Sequence, residues 1–260
     1  MKRITQLKDQ ALEVLDGRFG KAALATLGVF AITFIISFSF GFMGGNSPLD
    51  YFDSAMEADF SGMMEALGSN MMTSLFQTLV SIFFTVPLTV GAINTYRVLV
   101  ESKGSNDEIF SNFFRIGFGK SYLHIVLFSF VIGILQGLLI APAAIILLLV
   151  ILLLHNVFAI VIFALAMLVY VIWIALMYSQ TSFIIVDNPQ MDIIETMRRS
   201  RTLMQGKKTK YLLMELSFIG WILLGIFTLC IGYLWLAPYI RTTEAAFYCD
   251  IKEAETTEQA

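Results

Sequence analysis

The sequence predicts an all-α fold, a polytopic membrane helical bundle of six transmembrane helices, arranged as three hairpins each preceded by a cytoplasmic amphipathic helix. Three observations carry this expectation: long uncharged apolar runs, a one-sided distribution of Lys and Arg, and a pattern that recurs three times in 260 residues. Hydrophobic residues make up 57% of the chain and charged residues 14%, with a mean hydropathy of +0.77, outside the range of soluble domains. That composition excludes a soluble enzyme, a nucleic-acid-binding domain and a disulfide-stapled secreted module.

Four stretches lack Asp, Glu, Lys and Arg: Ala22–Leu49 (28 residues), Ala66–Tyr96 (31), Ser121–Val186 (66) and Leu216–Ile240 (25). A helix that crosses a bilayer needs about 20 apolar residues. The first stretch follows Lys2, Arg3, Lys8, Arg18 and Lys21 and superficially suggests a secretory signal. It is about twice as long as a signal's apolar region and ends in Met43-Gly44-Gly45-Asn46, without a small-x-small cleavage site. It is therefore predicted to be a retained first span.

Basic residues stay on the cytoplasmic side of short loops. Segments 1–21, 97–120 and 187–210 hold fifteen of the 17, whereas 44–70 has none and instead carries Asp50, Asp53, Glu57, Asp59 and Glu65. The three basic segments are thus predicted inside and 44–70 outside. The 66-residue run leaves a cytoplasmic segment and returns to one, so it contains an even number of spans. Two fit, with Pro142 or His155-Asn156 near the outer turn. Leu216–Ile240 alone reads either as one span or as the first leg of a hairpin returning through Pro238, Arg241 and Glu244.

An internal repeat favours the hairpin. Ala11 to Lys21, Phe110 to Lys120 and Met197 to Lys210 each read as an amphipathic helix, a glycine stop, a basic residue and a span. The return legs end in Glu101, Asp187 and Asp250. The units predicted are 1–101, 102–188 and 189–251, within a single membrane domain 1–260 that closes on a disordered tail, 252–260. The amphipathic stripes are Ile4, Leu7, Ala11, Val14 and Leu15; then Ile109, Phe110, Phe113 and Phe114; then Ile193, Ile194, Met197 and Met204. The third helix is predicted to start at Asn188-Pro189 and to stop at Gly206. Its Arg198, Arg199 and Arg201, with Lys207 and Lys208, are predicted to contact lipid headgroups.

Residues Tyr178-Ser179-Gln180-Thr181, Val186 to Pro189, Ser200 to Lys208, Leu216 to Trp221 and Trp235 to Tyr239, closing with Ala246-Phe247-Tyr248, resemble a family of integral membrane proteins, domain-of-unknown-function family nine hundred and seventy-five. The chain is also distantly similar to the membrane domain of some glycerophosphodiester phosphodiesterases. It departs from the family pattern at Trp173-Ile174-Ala175-Leu176-Met177, where relatives carry an Ile-Pro-Gly motif. The resemblance implies six spans, a bacterial plasma membrane and no particular activity.

Charged groups inside a bilayer are costly and mark functional sites. Arg241 and Glu244 share a helix face and can pair with each other or with Glu215. With Asn94, Gln180 and Thr181 they form the predicted binding site; the bland alternative is a pair that fixes hairpin packing. The methionines 56, 63, 64, 71 and 72 suggest a soft-metal stripe, but flexible apolar filler is the commoner use. His124 and His155 lack partners for zinc, no nucleophile motif is present, and Cys230 and Cys249 are predicted on opposite faces, too far apart for a disulfide. The sequence therefore predicts no cofactor and no metal. Membrane lipids, and another membrane protein or transporter, are the predicted partners, with no nucleic acid. The function expected is a non-catalytic, amphiphile-binding or accessory protein of a transport or peptide-resistance system. A self-contained transporter and a lipid-modifying membrane enzyme are the alternatives.

Overall fold

The structure, a computed structural model, describes residues 1–44, 71–102, 119, 122–154, 157–227 and 232–259. Among these the regular elements are all helices. We number them α1 (Ile4–Leu15), α2 (Phe19–Gly44), α3 (Met71–Glu101), α4 (Tyr122–Leu154), α5 (Val157–Tyr178), α6 (Thr181–Asp187), α7 (Ile193–Leu203), α8 (Lys208–Leu216), α9 (Ile219–Phe227) and α10 (Tyr233–Gln259). The predicted second amphipathic helix, Ile109 to Phe114, lies outside the described residues, as do Cys230, His155 and, of the methionine stripe, Met56, Met63 and Met64; Met71 and Met72 open α3.

Among the described residues, four stretches are long and apolar enough to cross a membrane: Phe19–Ile36, Thr78–Glu101, Tyr122–Leu147 and Phe158–Asp187. Their outer faces fit that environment. Phe34, Ile35, Leu127, Leu138, Phe158 and Val169 are all more than half exposed, an apolar surface far larger than water tolerates on a soluble protein. The buried core gathers α1, the last turns of α3, and α6, α7, α8 and α10, where Leu7, Leu15, Leu99, Ile184, Met204, Met214, Phe247 and Ile251 are almost fully enclosed, and it takes in Ile125 and Phe128 of α4. Helices α3 and α10 are its centre, with α2 and α1 packed against both. Helix α4 packs on α5 and α9 on α10.

Local chemistry sets several boundaries. Of the α1 stripe, Leu7, Ala11, Val14 and Leu15 are buried against the rest of the protein. Gly17 and Gly206 end α1 and α7 with φ of 69° and 70°, a left-handed conformation that glycine adopts without the cost of a side chain. Pro87 has no N–H to offer Phe83, four residues earlier, and the hydroxyl of Tyr122 donates to that carbonyl instead at 2.9 Å. The proline is thereby accommodated inside α3, and α4 is fastened beside it.

The structure differs from the sequence reading in three places. Helix α7 starts at Ile193 with Asp192 as its cap, accepting from the Ile194 amide at 3.1 Å, while Asn188 closes α6. An Asp side chain oriented back onto the first turn outcompetes the Asn-Pro pair as a start signal. The buried face of α7 is Thr196, Ser200 and Leu203, and Ile194 is exposed. Residues 252–259, read as a disordered tail, are the last turns of α10, held by Lys252 to Asp187 and by Glu255 to Arg199.

Candidate functional site

Arg241 and Glu244 stand one turn apart on α10 and pair at 2.9 Å. Glu244 is almost fully buried, while the Arg241 side chain is 52% exposed. Beyond the pair, the guanidinium borders a recess of about 170 Å³ whose walls include Thr26 of α2, Thr89 and Tyr96 of α3, and Tyr233 and Ala237 of α10. The Thr26 and Tyr96 hydroxyls are 3.0 Å apart. A guanidinium has five N–H donors, and Glu244 takes one of them, so Arg241 has donors to offer an anion in the recess.

Glu215 lies near the end of α8, one residue before the last uncharged run. Its carboxyl lies within electrostatic reach of Glu244, Arg241 and Lys8 and shares a hydrogen bond with Tyr211. Its Oε1 is buried and, among the described residues, has no hydrogen-bond partner. Lys8 of α1 is held below its ordinary range by burial, partly offset by Glu215, and its ammonium sits 4.1 Å over the ring of Phe218. The fold thus brings Glu215, Glu244 and Arg241 into one electrostatic neighbourhood and adds Tyr211, Tyr96 and Thr26.

The other three predicted residues lie apart. Asn94 is buried, but two residues from Tyr96 it points about 200° around α3 from the wall of the recess. Gln180 and Thr181 form the junction between α5 and α6: Gln180 donates to Ser179 Oγ at 2.9 Å and Thr181 to the Tyr178 carbonyl at 2.7 Å. Their polar groups hold that break in the backbone.

A second cluster escaped the sequence reading. Asp187, with 4% of its side chain exposed, pairs with Arg97 of α3 and with Lys252 of α10, and accepts from the Tyr248 hydroxyl. Asp250 accepts the Lys2 amide with both oxygens at 3.0 Å and lies 3.7 Å from the Lys210 ammonium. The acidic residues closing the three return legs were visible as a recurring pattern; that Arg97, Lys252 and Lys210 answer them was not, because each pairing joins distant segments.

Among the basic residues predicted at the headgroups, Arg199 pairs with Glu255 at 3.5 Å and Lys208 lies 4.3 Å over the Trp173 ring. Lys207 is partly buried, and Arg198 and Arg201 are exposed. Among the described residues no group of three or more His, Cys, Asp or Glu side chains is close enough to hold a metal ion.

A family model with the description "Protein of unknown function (DUF975)" matches residues 1–255. The chain belongs to this family. No curated protein and no solved structure matches it, so the likeness to the membrane domain of glycerophosphodiester phosphodiesterases gains nothing from these comparisons. What can be said of this DUF975 chain as a membrane protein rests on its own four apolar helices and on the polar recess beside them.

Proposed function

We propose that this DUF975 protein is a six-span protein of the bacterial plasma membrane, non-catalytic, that binds the anionic end of an amphiphile at Arg241. The observation that carries the reading is the half-exposed Arg241 guanidinium at the wall of a hydroxyl-lined recess, with its counter-ion Glu244 buried behind it. A charge held in this way between apolar helices is costly to keep and pointless unless it meets something.

The six-span topology is supported by lengths. Helices α8 and α9 together run from Lys208 to Phe227, about 30 Å at 1.5 Å per residue, which matches a bilayer core. They are interrupted only by a tightened turn at Ser217-Phe218, where Phe218 donates to Glu215 at 3.0 Å. Helix α10 packs back against α9 as a return leg. The bonds from Lys2 and Lys210 to Asp250, and from Arg97 and Lys252 to Asp187, bring the N-terminus and the ends of the return legs together. That gathering supports three hairpins of one orientation with both termini cytoplasmic. The accessory role, beside another membrane protein of a transport or peptide-resistance system, belongs to the same proposal. A continuous polar path through Asn94, Gln180, Arg241 and Glu244 would support the transporter alternative; Gln180 sits at the α5–α6 junction and Asn94 away from the recess wall, so this support is missing.

The test is photocrosslinking of a photoreactive fatty acid to the purified protein in lipid nanodiscs, with sites mapped by mass spectrometry. The reading predicts adducts on Thr26, Tyr96 and Tyr233, lost in Arg241→Gln and retained in part by Arg241→Lys. Equal labelling of wild type and Arg241→Gln at these positions contradicts it.

A further inference from the structure

A second crevice, separate from the Arg241 recess, lies between α4 and α7. It has a volume of about 410 Å³, with Leu135, Leu138 and Leu139 on one wall and Ile194, Met197, Arg198 and Arg201 on the other. The four α7 residues fall at spacings of three and four, so they occupy one helix face. The opposite face is locked down: Thr196 and Ser200 are fully buried, and the Ser200 hydroxyl donates to the Met177 carbonyl at 3.1 Å. This fixes which side of α7 meets the leucines.

The two walls differ in kind. Leu138, on a stretch long and apolar enough to span a bilayer, is 64% exposed, and Ile194 on the α7 wall is 63% exposed. Arg198 and Arg201 are exposed and, among the described residues, take part in no ion pair, and no acidic residue lines the crevice. The neighbouring groove contrasts with it. There Asp192, Glu195 and Glu255 face Arg198 and Arg199, and Arg199 pairs with Glu255. Arg198 borders both clefts, whereas Arg201 borders the crevice that carries the leucines, whose described lining holds no acidic side chain.

We propose that this crevice binds one anionic phospholipid of the surrounding membrane, with the phosphate between Arg198 and Arg201 and an acyl chain along Leu135, Leu138 and Leu139. A soluble anion would use the arginines and leave the leucines bare; an apolar ligand would do the reverse. A phospholipid with net negative charge satisfies both walls, and basic pockets beside spans recognise such headgroups. The volume suits a headgroup and the start of one chain, with the rest in the bilayer.

The test is native mass spectrometry of the purified full chain in detergent, titrated with phosphatidylglycerol and phosphatidylcholine of identical acyl chains. The proposal predicts preferential retention of phosphatidylglycerol, weakened on the order of 20-fold in the double variant Arg198→Gln/Arg201→Gln. Arg3→Gln, which removes one positive charge elsewhere on the exposed surface, leaves retention unchanged. Leu138→Ala weakens retention with both arginines intact, and soluble glycerol phosphate fails to displace the lipid. Equal retention of the two lipids, wild-type retention by the double variant, or displacement by glycerol phosphate at lipid-like concentrations overturns the proposal.

Discussion

Arg97 of α3 and Asp187 at the end of α6 form an ion pair inside the core, and Lys252 of α10 reaches the same carboxylate at 2.7 Å. Three helices distant in sequence are tied through one side chain that is 4% exposed. Its two cations are not equivalent: the Arg97 side chain is 14% exposed and that of Lys252 40%.

Among the described residues, Asp187→Asn leaves the largely buried Arg97 with Glu101, 3.5 Å away, as its remaining counter-ion. The expected loss is about 3 kcal/mol or more, the cost of breaking a buried pair from one side. Lys252→Gln removes a largely solvated partner and costs under about 1 kcal/mol. Unfolding of the two variants by titration with a denaturing detergent checks the ranking; equal losses contradict it.

The Tyr122 bond to Phe83 exists because Pro87 cannot make it. Tyr122→Phe is expected to cost about 1 kcal/mol in the wild-type background. In Pro87→Ala the new amide takes the Phe83 carbonyl, and the same Tyr122→Phe change becomes nearly neutral. The double-mutant cycle reads this coupling directly; additive effects remove the explanation.

The sequence conveyed those parts of the molecule that depend on neighbours along the chain. The stripe of α1, the stops at Gly17 and Gly206, and the Arg241–Glu244 pair all follow from spacings of three or four residues or from a single conformational demand. Helix α7 was displaced by four residues because two start signals, Asn188-Pro189 and Asp192, lie within five positions, and only the side-chain bond to Ile194 decides between them. The Asp187 hub and the joining of Lys2 to Asp250 were hidden for a different reason. Their partners are 65 and 248 residues apart, and no local pattern says which of several cytoplasmic cations will meet which acid. Asn94, Gln180 and Thr181 were grouped with Arg241 on polarity alone; the twist of α3 and the break before α6 separate them.

The six-span topology is tested most directly by labelling intact cells with a membrane-impermeant thiol reagent, in a background with both native cysteines replaced. Single cysteines at Asp59, Arg3 and Glu258 report the outer loop and the two termini. The account predicts labelling at position 59 only, with positions 3 and 258 behaving alike because the Lys2 amide is bound to Asp250. Labelling at 258 but not at 3 would put the C-terminus outside, reduce the chain to an odd number of spans and contradict the third hairpin.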